Sequence, residues 1–226
     1  MKLKNKFYFK YNINVEIFYS YKFLIMKSKQ QSFYDISNFP QLDILCQNWK
    51  IIRDEYKQLN LTIMNVDRVN KAHEEVYEEV FDQLVNKGEN YGWIKGWGEG
   101  DKSNSDWLQY GLIFKDQKVP FIGSSMSKTI ELLQEVDGLV VAAFLKLKPR
   151  SVLHTHNHPD LIVKQALQLH LPIETATHNN FNYINVNGNF RQYECGKPIV
   201  FDGTLDHFAL NESNLERITL YLEFKK

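Results

Sequence analysis

The sequence predicts an α+β fold in which amino-terminal helices pack on a sandwich or small barrel of jelly-roll type. Three observations predict it. Apolar residues recur at helical spacing before Gly88 and at strand spacing after Gly138. Turn residues separate the strand-like runs at short, regular intervals.

The elements follow in chain order. From Pro40 to Leu59 the apolar residues are Leu42, Leu45, Trp49, Ile52, Tyr56 and Leu59, one face of a helix. A second helix is predicted over Val66–Lys87. Asn65 would be its N-cap, Val66, Val69, Val76, Val80 and Leu84 its buried side, and Gly88 its stop. Tyr91–Ser105 carries Gly, Trp, Ser and charge and reads as a long loop, with Trp93 and Trp97 either lining a substrate mouth or packed within it. Ser127–Val136 is a shorter helix. Then come alternating runs over 138–148, 151–156, 164–173, 181–186, 189–194, 198–201 and 217–224, rich in Val, Ile, Leu, Phe and Tyr. Asn187-Gly188 between two of them is a strong two-residue hairpin signal.

A chain of 226 residues with 43% apolar content can build an ordinary packed core. Lys+Arg and Asp+Glu balance at 27 each, so no global field draws the protein to nucleic acid or anionic lipid, and neither is an expected partner. Cys46 and Cys195 form neither a disulfide framework nor a zinc-ribbon spacing, which fits a reducing cytoplasm. Cys46 is expected beside the core and Cys195 in a turn, inert. Residues 1–25 are rich in Lys, Asn, Phe and Tyr. They lack the uninterrupted apolar core of a secretory signal and the ~18–20 apolar residues of a membrane span. They are expected to be a translated upstream segment before Met26, a poorly ordered arm, or an extra edge strand. Residues 26–226 are expected to form a single domain, helical over 35–136 with the barrel over 106–226.

The chemistry concentrates in the strand region. Five of the seven histidines belong to its candidate constellation: His154, His156, His158, His170 and His207. On an extended chain His154, His156 and His158 share one face, until Pro159 turns it. Arg217 follows His207 by ten residues. Two neutral imidazoles from different strands supply part of an open coordination sphere, and a fixed guanidinium suits a carboxylate co-substrate. That combination points to a mononuclear iron oxygenase.

Over Trp107–Phe224 the sequence resembles the aspartyl/asparaginyl β-hydroxylases. Pro149 precedes His156 by the seven residues that separate the family's proline from its metal histidine. Leu167-Gln168-Leu169-His170-Leu171-Pro172-Ile173 is similar to the family's Leu-Arg-x-His-Leu-Gly-Leu strand. Tyr193-Glu194-Cys195-Gly196-Lys197 stands where the family has Trp-Glu-x-Gly-Lys. Phe201-Asp202-Gly203-Thr204-Leu205-Asp206-His207 matches Phe-Asp-Asp-Ser-Phe-x-His, with Arg217 at the family spacing beyond it. Asp106-Trp107-Leu108-Gln109-Tyr110 looks like the segment whose tryptophan borders the co-substrate pocket.

The resemblance implies a double-stranded β-helix of cupin-like type and an Fe(II)- and 2-oxoglutarate-dependent dioxygenase. The expected substrate is the β-carbon of an aspartyl or asparaginyl group, in a peptide or a small molecule. It implies His156 and His207 as metal ligands and Arg217 as the anchor of the distal 2-oxoglutarate carboxylate. Trp107, Gln168 and His170 would lie around the co-substrate, unless His170 is a core histidine satisfied by a neighbour.

The chain also departs from the family pattern. Gln168 replaces an arginine, Leu145 a serine, and three residues are added between His156 and His170. His158 stands where related oxygenases carry Asp or Glu and this family often Gly, and is a candidate third ligand. Two alternatives stay open. One is a three-histidine cupin site of His156, His158 and His207 with Asn211, needing no 2-oxoglutarate. The other is a non-catalytic binding relative.

Overall fold

A computed structural model describes residues 30–226 apart from 67, 72, 98–102, 115–116 and 121, so the expectations for residues 1–25 lie outside the described residues. Residues 32–226 form one compact unit. Its larger sheet runs in the order β1 (Phe33–Tyr34), β10 (Ile199–Phe201), β7 (Ala166–Glu174), β12 (Arg217–Lys225), β5 (Leu139–Leu147), β3 (Ser103–Phe114) and β2 (Ile94–Trp97). A short β4 (Gln117–Lys118) pairs with β3. The smaller sheet is β6 (Ser151–His156), β11 (His207–Asn211), β8 (Asn182–Val186) and β9 (Asn189–Gln192). Every strand pair is antiparallel. The helices are α1 (Asp43–Gln47), α2 (Trp49–Tyr56), α3 (His73–Val85), α4 (Ser127–Gln134) and α5 (Asp160–Lys164).

Strand parity divides the larger sheet between two cores. On β12, Ile218, Leu220, Leu222 and Phe224 join Leu167, Leu169, Leu171, Ile173, Ala142 and Phe144 against the helices, which contribute Leu42, Leu45, Ile52, Ile130 and Leu133. The opposite parity points into the barrel. There Trp107, Ala143, Leu145 and Leu147 make one cluster, and Ile199 and Phe201 pack with Ile184, Val186, Tyr193 and Ala209 of the smaller sheet's side. The central strands are therefore covered on both faces, and nearly every residue of β7 and β12 is buried. This is an α+β fold with a double-stranded β-helix, as expected. Phe224 is fully buried and meets Phe39 edge-on at 5.2 Å. Phe224→Ala should lower stability by about 3–5 kcal/mol, read from the urea midpoint, because it empties the seam between sheet and helices.

Several elements differ from the sequence-based expectation. The helix expected over Pro40–Leu59 opens with a 3₁₀ turn at Pro40–Leu42 and is broken at Asn48. The Asn48 side chain donates to the Ile44 carbonyl at 2.7 Å, competing with the backbone where α1 ends. The second helix begins at His73 rather than Val66. Trp93 exchanges backbone hydrogen bonds with Thr62 and Met64, which holds the preceding segment extended. Val76, Val80 and Leu84 are buried as expected, while Val69 is exposed.

Tyr91–Ser105 is not a simple loop, since β2 and the start of β3 lie within it. Gly92 and Gly96 are there for close approach. A Cβ on Gly92 would fall 2.2 Å from the Thr62 carbonyl oxygen, and one on Gly96 2.1 Å from the Trp107 ring. Trp93 is buried in the core, and Trp97 packs beside Trp107. The larger sheet thus draws strands from the part expected to be helical, 35–136. At Asn187-Gly188 both residues have positive φ, 49° and 82°, the geometry of the expected hairpin turn. β11, absent from the sequence-based strands, completes the smaller sheet and carries His207.

Candidate active site

β6 and β11 pair so that His156 lies opposite His207. The two imidazole rings are 4.3 Å apart, and His158 closes the group at 5.2 Å from His156 and 5.4 Å from His207. One nitrogen of each lies within 4.8 Å of the others. Nitrogens about 2.1 Å from a shared ion sit at most about 4.2 Å apart, so small side-chain rotations would close the set.

The chain turns at Pro159 directly beyond His158, and the His158 amide donates to the Gly203 carbonyl at 2.8 Å. His154 does not join the group. It is exposed, and its carbonyl instead accepts from His156 Nδ1 at 2.7 Å. His207 Nδ1 makes the matching bond to the Leu205 carbonyl at 2.8 Å. A carbonyl can only accept, so both Nδ1 atoms carry the proton and both Nε2 lone pairs are free for a metal.

Burial keeps these imidazoles neutral. Desolvation is the main cause for both, pushing His207 down to about 3, with the charge of a protonated His156 adding to it, and lowering His156 as well. In the metal-free protein the unfolded chain takes up these protons near the ordinary histidine value, about 6.5, before the fold does. Stability should therefore be full above that value and fall as the pH drops toward about 3. Thermal midpoints of metal-free protein between pH 7 and pH 4 test this, and a midpoint that rises on acidification would contradict it.

Inward-facing residues line the rest of the barrel. Trp107 stands 6.3 Å from His156, ring to ring, and Phe201 5.3 Å from His207. Phe201 also meets His170 edge-on at 4.9 Å, and His170 Nδ1 bonds the Tyr193 hydroxyl at 2.7 Å. Arg217 lies across the Tyr193 ring, its guanidinium carbon 4.0 Å from the centroid. It donates a long hydrogen bond, 3.5 Å, to the Leu210 carbonyl. No described carboxylate pairs with it, and its Nε is buried without a partner, as is the Thr219 hydroxyl two residues along β12. Burial and the Arg217 charge hold His170 well below the ordinary imidazole range.

A fully buried cation facing orphaned polar groups is costly unless an anion joins it. The donor set therefore fits both groups the sequence implied: neutral imidazoles for a divalent metal, and a guanidinium for a carboxylate.

The aspartyl/asparaginyl β-hydroxylase profile matches residues 46–226. The chain belongs to that family. The match begins well before Trp107 and takes in α2 to α5. A curated relative, the ornithine lipid ester-linked acyl 2-hydroxylase of Rhizobium tropici, is 29% identical over 94 residues, 42% of this chain. The aligned part spans 32% of that relative's length. Among solved structures, a predicted oxalate decarboxylase from Thermotoga maritima is similar at TM-score 0.38 and 12% identity, over 61% of this chain and 93% of that one. KdgF from Halomonas sp. is similar at TM-score 0.35 and 12% identity, over 63% and 92%. The fold assignment rests on the strand pairing above.

Within this β-hydroxylase-family site, the structure gathers His156, His158, His170, His207, Arg217, Trp107 and Gln168 around one barrel. Asn211 is used elsewhere. Its amide donates to the Leu147, Lys148 and Leu215 carbonyls, and its oxygen accepts from Ser213, so it locks the β11–β12 turn. Sequence reasoning missed Tyr193, Thr219 and Tyr221 as site-lining residues. Tyr193 stands at the family's tryptophan position, and the other two share the parity of Arg217 on one strand, a signal that was legible. Among the described residues, no helix is long and apolar enough to cross a membrane. Both cysteines are free and half-buried, and burial raises their thiol pKa, Cys46 to about 11.

Proposed function

We propose that this hydroxylase uses Fe(II) and 2-oxoglutarate. The observation that carries the reading is Arg217, a buried guanidinium without a described carboxylate, inside the same barrel as a group of three histidines. His156 and His207 are the obligatory ligands in this reading, and His158 is the third. Arg217 binds the distal carboxylate of 2-oxoglutarate through its planar fork, and Tyr193 holds the guanidinium flat beneath it. Trp107 and Leu145 wall the pocket against water, while His170, held by Tyr193, faces the co-substrate. Gln168, standing at the family's arginine position, puts a neutral amide on that wall.

With the metal, 2-oxoglutarate and O₂ bound, the chemistry supplied is oxidative decarboxylation. 2-Oxoglutarate becomes succinate and CO₂, one oxygen atom entering succinate and the other a substrate C–H bond. The substrate we propose is an aspartyl or asparaginyl group, in a peptide or a small molecule, hydroxylated at the β-carbon. That carbon is adjacent to the side-chain carbonyl. The acyl C-2 named for the Rhizobium relative is likewise next to a carbonyl, which supports an unactivated C–H bond beside a carbonyl as the common target.

The three-histidine group favours a second reading, a cupin-type metalloenzyme that needs no 2-oxoglutarate. One experiment separates the two. Anaerobic protein with Fe(II) should develop a weak visible charge-transfer band on adding 2-oxoglutarate, because only chelation of ferrous iron by its keto-acid end produces it. Iron bound with no band and no 2-oxoglutarate affinity would favour the second reading. Aerobic incubation with cell extract should then yield succinate and products heavier by one oxygen atom, identified by mass spectrometry.

A further inference from the structure

α5 follows His158 at once, and it falls in the interval where this chain carries three residues more than the family pattern. The helix is tied down at several points. The Leu161 amide donates to the His158 carbonyl at 3.1 Å, and Leu161 is buried. Lys164, at the last residue of α5, binds Asp160 at 2.7 Å and Glu223 of β12 at 2.9 Å. Glu223 is a buried carboxylate, and its other oxygen accepts from the Tyr221 hydroxyl at 2.8 Å. That hydroxyl accepts in turn from the Gln168 amide at 2.8 Å.

The Gln168 side-chain oxygen packs on Gly203 so closely that a Cβ there would lie 2.3 Å from it. Gly203 then accepts the His158 amide, and the circuit closes on the histidine where it began. Gln168 and His158, two of the departures from the family pattern, are thus members of one structure.

We propose that Glu223 is a positioning residue: through Lys164 on one side and Tyr221–Gln168 on the other, it seats His158 beside His156 and His207 as a third metal ligand. The proposal rests on the three-histidine metal site proposed above. Glu223 itself touches neither metal nor substrate. It stops α5 from lifting off β12, and the Gln168 amide, too short and uncharged to act as the family's arginine, braces the Gly203 turn from inside. An ordered outer shell of this kind commonly sustains metal affinity by ten- to hundredfold, which is about the loss expected when it is cut.

The test uses Co(II) as probe on the full chain, with equilibrium titration and the visible d–d absorption as readouts. Glu223→Gln should weaken Co(II) binding about ten-fold and shift the absorption toward that of His158→Ala. In a His158→Ala background, Glu223→Gln should cost nothing further, because its effect passes through His158. Lys164→Met, at a partly exposed side chain, carries the same expectation should Glu223→Gln not fold. Wild-type affinity and spectrum in both Glu223→Gln and Lys164→Met would overturn the proposal, as would an equal loss with and without His158. If His158→Ala alone leaves affinity and spectrum unchanged, His158 is no ligand and the proposal falls with it. Wild-type protein that binds no Co(II) at all would instead refute the metal-site reading beneath it.

Discussion

His207→Ala should abolish turnover and weaken metal binding by more than about 100-fold, beyond the loss typical of outer-shell changes. Its imidazole is buried, held in one tautomer by the Leu205 carbonyl and packed 5.3 Å from the Phe201 ring, so its removal takes away a fixed Nε2 donor. His156→Ala should behave alike, since the Nδ1 bond to His154 gives it the same free Nε2. Metal content by elemental analysis, together with succinate formation, measures both effects. Near-wild-type thermal midpoints in the metal-free variants would show that the loss is local. Full iron content and activity in both variants would remove these histidines from the centre.

Arg217→Lys should raise the 2-oxoglutarate requirement about ten-fold or more, equivalent to ~1.4 kcal/mol, because a point charge replaces a bidentate fork. Arg217→Met should go further and abolish measurable 2-oxoglutarate binding. Its effect on the metal-free protein should have the opposite sign. The guanidinium is buried among a tyrosine ring, a long carbonyl contact and an orphaned hydroxyl, with no described carboxylate to offset its desolvation. Removing that charge while keeping the volume should therefore leave the thermal midpoint unchanged or higher. Calorimetric titration with 2-oxoglutarate and a thermal melt test the two halves separately. A variant that still binds 2-oxoglutarate normally would place the co-substrate elsewhere, and a lower midpoint would show that Arg217 is a structural cation.

Much of the site was legible because it lies on motifs of fixed spacing. His156 and Arg217 each occupy a strand whose alternation is plain, His207 was marked by its motif spacing rather than by a strand pattern, and parity alone carries Arg217 to the barrel interior. The strands after residue 138 were read well for the same reason, since buried sheet sequences of Val, Ile, Leu and Phe have few other uses. Errors came where residues were read by type rather than by neighbour. The glycines at 92 and 96 suggested a long loop, yet each lets another chain segment approach its backbone. Val66 and Val69 continued a helical period, but the chain just before them is bonded to Trp93 and the Arg68 amide donates to the Ser103 hydroxyl, so the helix begins only at His73.

The sequence by itself determined the strand region with its two-residue hairpin, the family, and the pair of histidines with their arginine. Each rests on local spacing or on the alternation of one strand, which chain geometry converts directly into facing. Only the tertiary structure decided the fate of His154, His158 and Asn211. In sequence His154 and His158 are equivalent neighbours of His156. In the fold β6 ends at His156, Pro159 turns the chain, and the Gly203 carbonyl holds His158 toward the other two rings. Asn211 suited a ligand set by spacing, but three carbonyls and a serine take its amide first. The Lys164–Glu223–Tyr221–Gln168 circuit was invisible for the same physical reason. Its members are separated by up to 59 residues: the pairing of β7 with β12 sets Gln168 beside Tyr221 and Glu223, and the Lys164 ion pair ties α5 to them.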